Sequence, residues 1–324
     1  MGISPVHAEW KVLRIDGRDY VDVRDVAAFY GLPSTAVPVN RSMTFSAGKE
    51  GLTFTADSRE ARINGVLHWL NFPVLEREAQ WLVSRMDLAK TVHPAMRPTA
   101  VENFPPITTV VLDAGHGAHD RGAYSPVAYE KDFTLDMVRR IRPLLERAGL
   151  KVVQTRNSDV FLELTHRAAI ANRLKNSIFV SIHFNSTDTN PLANGFEMYC
   201  VTPRGSPSTE YDELRVRDMV KEDGNTSDEP SFVLATTVHH SLIGRMDMAD
   251  RGVKRARFSV LRNCSRPSIL IEGGFLSNGG DLRKIADRAW RDRYAAAIAA
   301  GILQYKLLVD QKIAPKTVPD YKSQ

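Results

Sequence analysis

Three short apolar runs in this sequence end in residues of the kinds that bind metal ions or move protons. The run Thr108–Leu112 leads into Asp113-Ala114-Gly115-His116-Gly117, and a second ends Ser181-Ile182-His183-Phe184-Asn185. The third, Ile269-Leu270-Ile271, leads into Glu272-Gly273-Gly274, and a fourth candidate, Glu130, opens a helical stretch with Lys131 and Asp132. Singly, each has an ordinary explanation. A histidine at a strand end is usually held by a structural hydrogen bond, and a glutamate at a helix start offsets the helix dipole. Glu272 resists that explanation, because a carboxylate set directly after Ile-Leu-Ile is partly buried and needs a partner or a task. Two imidazoles and a carboxylate make a three-ligand set with a coordination position left for water, the arrangement of hydrolytic rather than structural zinc. Zinc lowers the pKa of such a water, and a nearby unligated glutamate can take its proton and pass it to a leaving amine. Glycines beside His116 let the backbone turn sharply and leave room for a substrate.

For these residues to meet, the elements carrying them must share one sheet edge. From Ile107 onward, apolar strands alternate with amphipathic helices. Strands are expected at Thr108–Leu112, Lys151–Thr155, Ile178–Ile182, Phe196–Val201 and Ser268–Ile271. Helices are expected after Phe133 (kinked at Pro143), over Leu164–Leu174, near Phe232–Met246 and around Trp290–Tyr305. This alternation predicts an α/β fold, a three-layer, mainly parallel sheet with helices on both faces, and ligands of such sheets gather at the carboxyl ends of the strands.

Residues 10–93 read differently, as a small α+β domain. Lys11–Ile15 and Gly17 suggest a strand and turn, and Tyr20–Tyr30 has helical apolar spacing stopped by Gly31. Leu52–Thr55, Ala61–Ile63 and Val66–Leu70 alternate as strands around an Asn64-Gly65 hairpin signal. A faint repeat relates Tyr20-Val21-x-x-Arg24-Asp25-Val26-Ala27 to Trp81-Leu82-x-x-Arg85 with Asp87-Leu88-Ala89. It resembles the paired motif of copper-amine-oxidase-N-terminal-like domains, which implies a stalk or wall-contacting module rather than copper binding. Pro94, Pro98, Pro105 and Pro106 then predict a stiff, non-helical linker over 94–106, before a catalytic domain over 107–308 and a tail over 309–324.

With 324 residues, 43% hydrophobic and 25% charged, the chain has ordinary globular composition, which excludes disordered and fibrous classes. Its apolar stretch around Ala295–Leu303 is far short of the roughly 20 residues that a membrane span needs. The net charge of +5 suits an anionic partner, but no basic run with interleaved aromatics supports nucleic acid. Cys200 and Cys264 allow one disulfide at most and exclude a cysteine-rich zinc module. The first ten residues hold no signal-peptide core, although Val6-His7-Ala8 before Glu9 has the spacing of a signal-peptidase site.

The motifs from Asp113-Ala114-Gly115-His116-Gly117 through Asp120-Arg121-Gly122-Ala123, Glu130-Lys131-Asp132, Thr155-Arg156, Arg167, Ser181-Ile182-His183-Phe184-Asn185, Gly195-Phe196-Glu197, Arg251-Gly252-Val253-Lys254 and Glu272-Gly273-Gly274 come in a telling order. Over roughly 107–306 the chain resembles the AmiA/AmiB/AmiC-type zinc-dependent N-acetylmuramoyl-L-alanine amidases. The resemblance implies one zinc ion per catalytic domain, held by His116, Glu130 and His183, with Glu272 as general base and acid. It implies cleavage of peptidoglycan between the lactyl group of N-acetylmuramic acid and L-alanine, with a zinc-bound water as nucleophile. It further implies an extracytoplasmic location, with a leader absent from this chain, and a regulatory activator protein as partner. Ala114, Ala118 and Arg121 depart from the family's usual Pro, Gly and Pro. Asp113 is expected to orient His116, and Asn185 to serve the site or substrate in a similar way. His119 is a candidate for the mouth of the cleft, while His166, His239 and His240 read as packing or surface residues. The alternatives are a zinc hydrolase of another wall amide, or a non-catalytic wall-binding protein on the same fold, against which the four intact residues argue.

Residues 204–230 interrupt the pattern with four basic and eight acidic side chains, a net of −4. They read as a solvated loop with a short helix at Tyr211–Lys221, or, by analogy with a regulatory helix in the resembled family, as a lid over the cleft. A lid predicts that deletion raises activity.

Overall fold

The computed structural model describes residues 10–101 and 104–311, which form two compact units meeting in the chain near residue 102. The Val6-His7-Ala8 motif and the tail beyond residue 311 lie outside the described residues.

The first unit contains β1 (Leu13–Ile15), β2 (Arg18–Asp22), α1 (Val23–Phe29), β3 (Ser42–Ala47), β4 (Glu50–Thr55), β5 (Glu60–Ile63), β6 (Val66–Trp69), β7 (Leu75–Arg77) and β8 (Gln80–Ser84). These pair as an antiparallel β1-β2-β8-β7 sheet and a β3-β4-β5-β6 meander. The Asn64-Gly65 turn is a tight hairpin with positive φ at both residues (51° and 81°). Tyr20–Asp22 is strand rather than helix. Tyr20 and Val21 pair with Ser84 and Val83 across β8, and the helix starts only after Asp22, whose carboxylate accepts the Arg24 N–H at 2.7 Å. The repeat thus has a physical meaning. Each copy is a strand running into a polar cap and a helix, and the two strands are antiparallel neighbours. Phe45, Phe54, Ile63 and Trp81 fill the core between these elements.

The expected linker is partly helical. After β8 come α2 (Arg85–Asp87), a π-turn over Leu88–Val92, α3 (His93–Met96) and a 3-10 turn at Pro98–Ala100. Pro94 lies inside this continuous helical stretch, directly after the π-turn, and Pro98 begins the 3-10 turn that follows. The prolines therefore do not keep the segment from being helical.

The second unit is an α/β sandwich. Its strands β9 (Thr109–Ala114), β10 (Lys151–Gln154), β11 (Ser177–Asn185), β12 (Phe196–Val201), β13 (Asp250–Ala256) and β14 (Ser268–Phe275) lie in the order β10-β9-β11-β14-β12-β13. All neighbours are parallel except β12 and β14. The long helices α4 (Glu130–Arg147), α6 (Asp228–Ile243) and α9 (Arg288–Asp310) pack together over the sheet. On its other side α5 (Leu164–Asn172) and α7 (Ser259–Arg262) cover Val111, Phe179, Tyr199 and Leu270, and α8 (Gly279–Ala286) follows β14. Phe133, Phe184 and Tyr294 join α4, β11 and α9 in the core of the first face. Helix α4 runs on through Pro143 to Arg147.

Residues 204–227 hold 3-10 turns at Val216–Met219 and Asp223–Ser227, and Asp228–Pro230 already belong to α6. No α-helix forms at Tyr211–Lys221. Among the described residues no helix is long and apolar enough to cross a membrane.

Candidate metal centre and active site

Strand register brings the chemistry together. In the parallel β11–β14 pair His183 lies level with Glu272, and in the antiparallel β14–β12 pair Glu272 lies level with Glu197. Strand β14 does not end at Ile271 but carries Glu272 within it. Strand β9 ends beside Ile182, so the turn holding His116 opens at the same edge, and α4 points its first residue, Glu130, into it.

One nitrogen or oxygen from each of His116, Glu130 and His183 lies within 4.8 Å of the others. His116 Nε2 is 3.1 Å from Glu130 Oε2, and His183 Nδ1 is 2.9 Å from Glu130 Oε1. Burial alone would raise the Glu130 pKa, but hydrogen bonds and charge from both imidazoles hold it far below the usual carboxylate range. For His116, burial pulls the pKa down, and Glu130 with Asp120 more than offsets this, leaving it raised. Two imidazole nitrogens and a carboxylate oxygen converging in this way form a donor set that could hold a metal ion.

Two glycines make the cluster possible. A Cβ on Gly115 would stand 2.2 Å from His183 Cε1, and one on Gly122 would stand 2.5 Å from Glu130 Oε2 and 2.6 Å from His116 Cδ2. His116 itself has φ 62°, a region unfavourable for a residue with a side chain. Its loop is held there by two buried guanidinium groups. Arg156 donates to the carbonyls of Ala114 and Gly115 at 2.9 and 2.8 Å, and Arg167 donates to those of Ala114 and His116 at 2.7 and 2.8 Å.

Asp113 does not orient His116. Its carboxylate receives Arg167 Nη1 at 2.9 Å, Thr155 Oγ1 at 2.6 Å and Ser181 Oγ at 2.7 Å, so it braces the strands and the loop. The orienting group is Asp120, whose Oδ1 lies 2.8 Å from His116 Nδ1, turning Nε2 toward Glu130. Asn185 donates Nδ2 to Glu197 Oε2 at 3.1 Å. His119 packs on Phe161 with ring centroids 4.3 Å apart and joins no ligand cluster. His166 and His240 are exposed, while buried His239 pairs with Asp250 at 2.7 Å.

Glu272 Oε2 is buried without a hydrogen-bond partner. Burial, together with the negative charges of Glu130 and Glu197, pushes its pKa well above the usual carboxylate range, with Lys254 opposing. Glu197 behaves oppositely. Burial would raise its pKa, yet Lys254 at 2.7 Å and Arg251 at 2.5 Å hold it below the usual value.

The insert does not lie over this edge. Strand β12 runs antiparallel to β14, so from Glu197 to Val201 the chain moves roughly 13 Å away from the level of Glu272. There Arg257 pairs with buried Asp218 at 2.8 Å and donates to the Pro203 and Ser206 carbonyls, while Ser227 Oγ bonds Ser265 O ahead of β14. The lid expectation is therefore corrected. These residues close the opposite end of the sheet.

Residues 110–304, more than half the chain, match the family model described as N-acetylmuramoyl-L-alanine amidase. The chain belongs to this family. It is 32% identical over 244 residues to the N-acetylmuramoyl-L-alanine amidase AmiC of Escherichia coli O6:H1, a match covering 68% of this chain and 58% of that relative. Among solved structures, the amidase AmiC2 of Nostoc punctiforme superimposes with a TM-score of 0.51 at 36% identity, covering 61% of this chain and 96% of that one. The catalytic domain of the amidase CwlV from Bacillus (Paenibacillus) polymyxa var. colistinus gives 0.52 at 33%, covering 62% and 99% respectively. The amidase fold is thus the second unit, and Cys200 and Cys264 within it are both buried, free thiols.

Proposed function

We propose that this chain is a zinc-dependent N-acetylmuramoyl-L-alanine amidase acting on peptidoglycan outside the cytoplasm. The carrying observation is the convergence of His116, Glu130 and His183 within 4.8 Å at the sheet edge that also holds Glu272, in a chain of the amidase family. The three side chains would hold the ion, and a set of two imidazole nitrogens and one carboxylate oxygen suits zinc. Zinc supplies a Lewis acid that polarises a carbonyl and lowers the pKa of water.

The remaining work falls to the protein. Asp120 fixes the His116 ring, and the two arginines fix its backbone, so the donor atoms do not reorganise during turnover. Glu272 Oε2, its proton affinity raised by burial and by the charges of Glu130 and Glu197, takes a proton from the attacking water and gives it to the departing L-alanine amine. Glu197, with its paired cations, supports Glu272 from the next strand.

Mass spectrometry of material released from purified peptidoglycan tests this reading. Free stem peptides beginning with L-alanine, lost under chelation and restored by zinc, are the expected result. Cleavage at another bond would change the substrate assignment, and absence of release would remove the enzymatic reading. Glu272→Ala should retain bound zinc while losing turnover; a near-normal rate would remove Glu272 from the proton path.

A further inference from the structure

The segment between His116 and Glu130 carries two tyrosines at the rim of the centre. Ala123 donates its backbone N–H to Glu130 Oε2 at 2.9 Å, and the next residue, Tyr124, is 68% exposed. Tyr129 directly precedes Glu130, and its backbone pairs with that of Tyr124 in an antiparallel bridge. Their ring centroids are 5.6 Å apart at 55°. The turn between them is fixed by Ser125, whose hydroxyl donates to the Ala128 carbonyl at 2.7 Å. Arg121, where the resembled family usually has proline, places its guanidinium 4.9 Å from the Tyr129 ring centre and donates to the phenol oxygen at 3.1 Å. A large aromatic face is thus held out to water one residue from a group touching Glu130. The exposed ring, backed by a second ring and adjacent to a residue bonded to Glu130, is placed where a substrate bound at the centre would meet it.

We propose that Tyr124, braced by Tyr129 and Arg121, is a stacking platform for a sugar ring of the substrate, so that residues 121–129 read the glycan side of the scissile amide. The inference rests on the amidase reading and adds which half of the substrate this rim recognises. One side of that amide is a neutral pyranose, whose C–H face matches the electron-rich face of a phenol ring. The other side is a peptide bearing carboxylates, whose recognition calls for cations and N–H donors. Tyr124 offers a ring face and a hydroxyl, which suits the sugar.

The test compares kcat/KM on two soluble substrates sharing the same amide, a disaccharide-linked stem peptide and a D-lactoyl stem peptide without sugar. Tyr124→Ala should lose roughly tenfold on the first, through KM, and nothing on the second, with Tyr124→Phe near wild type on both. Equal losses on both substrates would overturn the proposal, since Tyr124 would then act through Glu130. No loss on either would overturn it too. If the wild type cleaves neither substrate, the amidase reading fails, and NMR titration with peptide-free glycan strands decides. Binding that disappears in Tyr124→Ala supports the platform, and its absence or indifference to Tyr124 overturns it.

Discussion

Burial and two neighbouring carboxylates make the ionised form of Glu272 costly in the folded protein, whereas the same group ionises freely in the unfolded chain. A carboxyl whose pKa is raised on folding favours the native state below its ordinary value of 4.5 and loses that contribution as pH rises toward the folded value. Glu272→Gln should therefore raise the melting temperature of metal-free protein at pH 7 by about 2–4 °C or more, the shift that ~1 kcal/mol produces in a domain of this size, with the gain vanishing below about pH 4. A melting temperature unchanged at both pH values would contradict the unpaired, desolvated state of this side chain. Glu197 has the opposite sign: its lowered pKa contributes stability above 4.5 that disappears as the solution is acidified through the folded value. For Asp120→Asn, zinc affinity measured by chelator competition should fall about 10–100-fold with the fold intact, the usual effect of removing a carboxylate behind a ligating imidazole. Wild-type affinity would dismiss Asp120 as the orienting group. His116, Glu130, His183 and Glu272 were legible because each sits where an apolar run stops or a helix starts. Asp120 was not, since it lies in a loop without periodicity, and Asp113, a carboxylate closer to the strand, drew the assignment instead.

At the level of elements, the turn after β9 is a strained loop held by side chains from elsewhere in the chain. Replacing Arg167 by Met removes the guanidinium partner of the buried Asp113 carboxyl, and breaking such a buried pair costs about 3–5 kcal/mol. Urea denaturation should show that loss, and a change below ~1 kcal/mol would mean the pair is not integral to the fold. Gly115→Ala tests the other constraint: with its Cβ 2.2 Å from the His183 ring, the variant should fold yet bind zinc weakly, as read by bound metal per protein. Full metal content would show that His183 can retreat without loss. Most strands and helices of the second unit could be read from apolar periodicity. Strand β13 could not, because Arg251, Lys254 and Arg255 make it look like a loop; Glu197 neutralises the first two, and Arg255 is buried with its Nη1 on the Val201 carbonyl. Tyr20–Asp22 misled in the opposite direction, since its apolar spacing fits a helix and only pairing with β8 makes it a strand.

Across the whole molecule, the placement of residues 204–227 at the amino end of β14 reverses the regulatory expectation. Shortening this segment should leave turnover on peptidoglycan unchanged and lower stability, because buried Arg257 loses Asp218; a rate increase would restore the lid. One of the segment's acidic side chains, Asp218, is an internal anchor for Arg257. The order of the ligands along the chain carries a further consequence. His116, Glu130 and His183 all belong to the contiguous stretch β9–α4–β10–α5–β11, and β9 pairs with β11 directly, whereas Glu272 arrives on β14 much later. During vectorial synthesis the half of the protein able to capture a cation is therefore finished before the half able to move a proton has been made. A cation bound to that early half would stabilise it by mass action, so metal supply would bear on how readily the chain matures as well as on how fast the finished protein works.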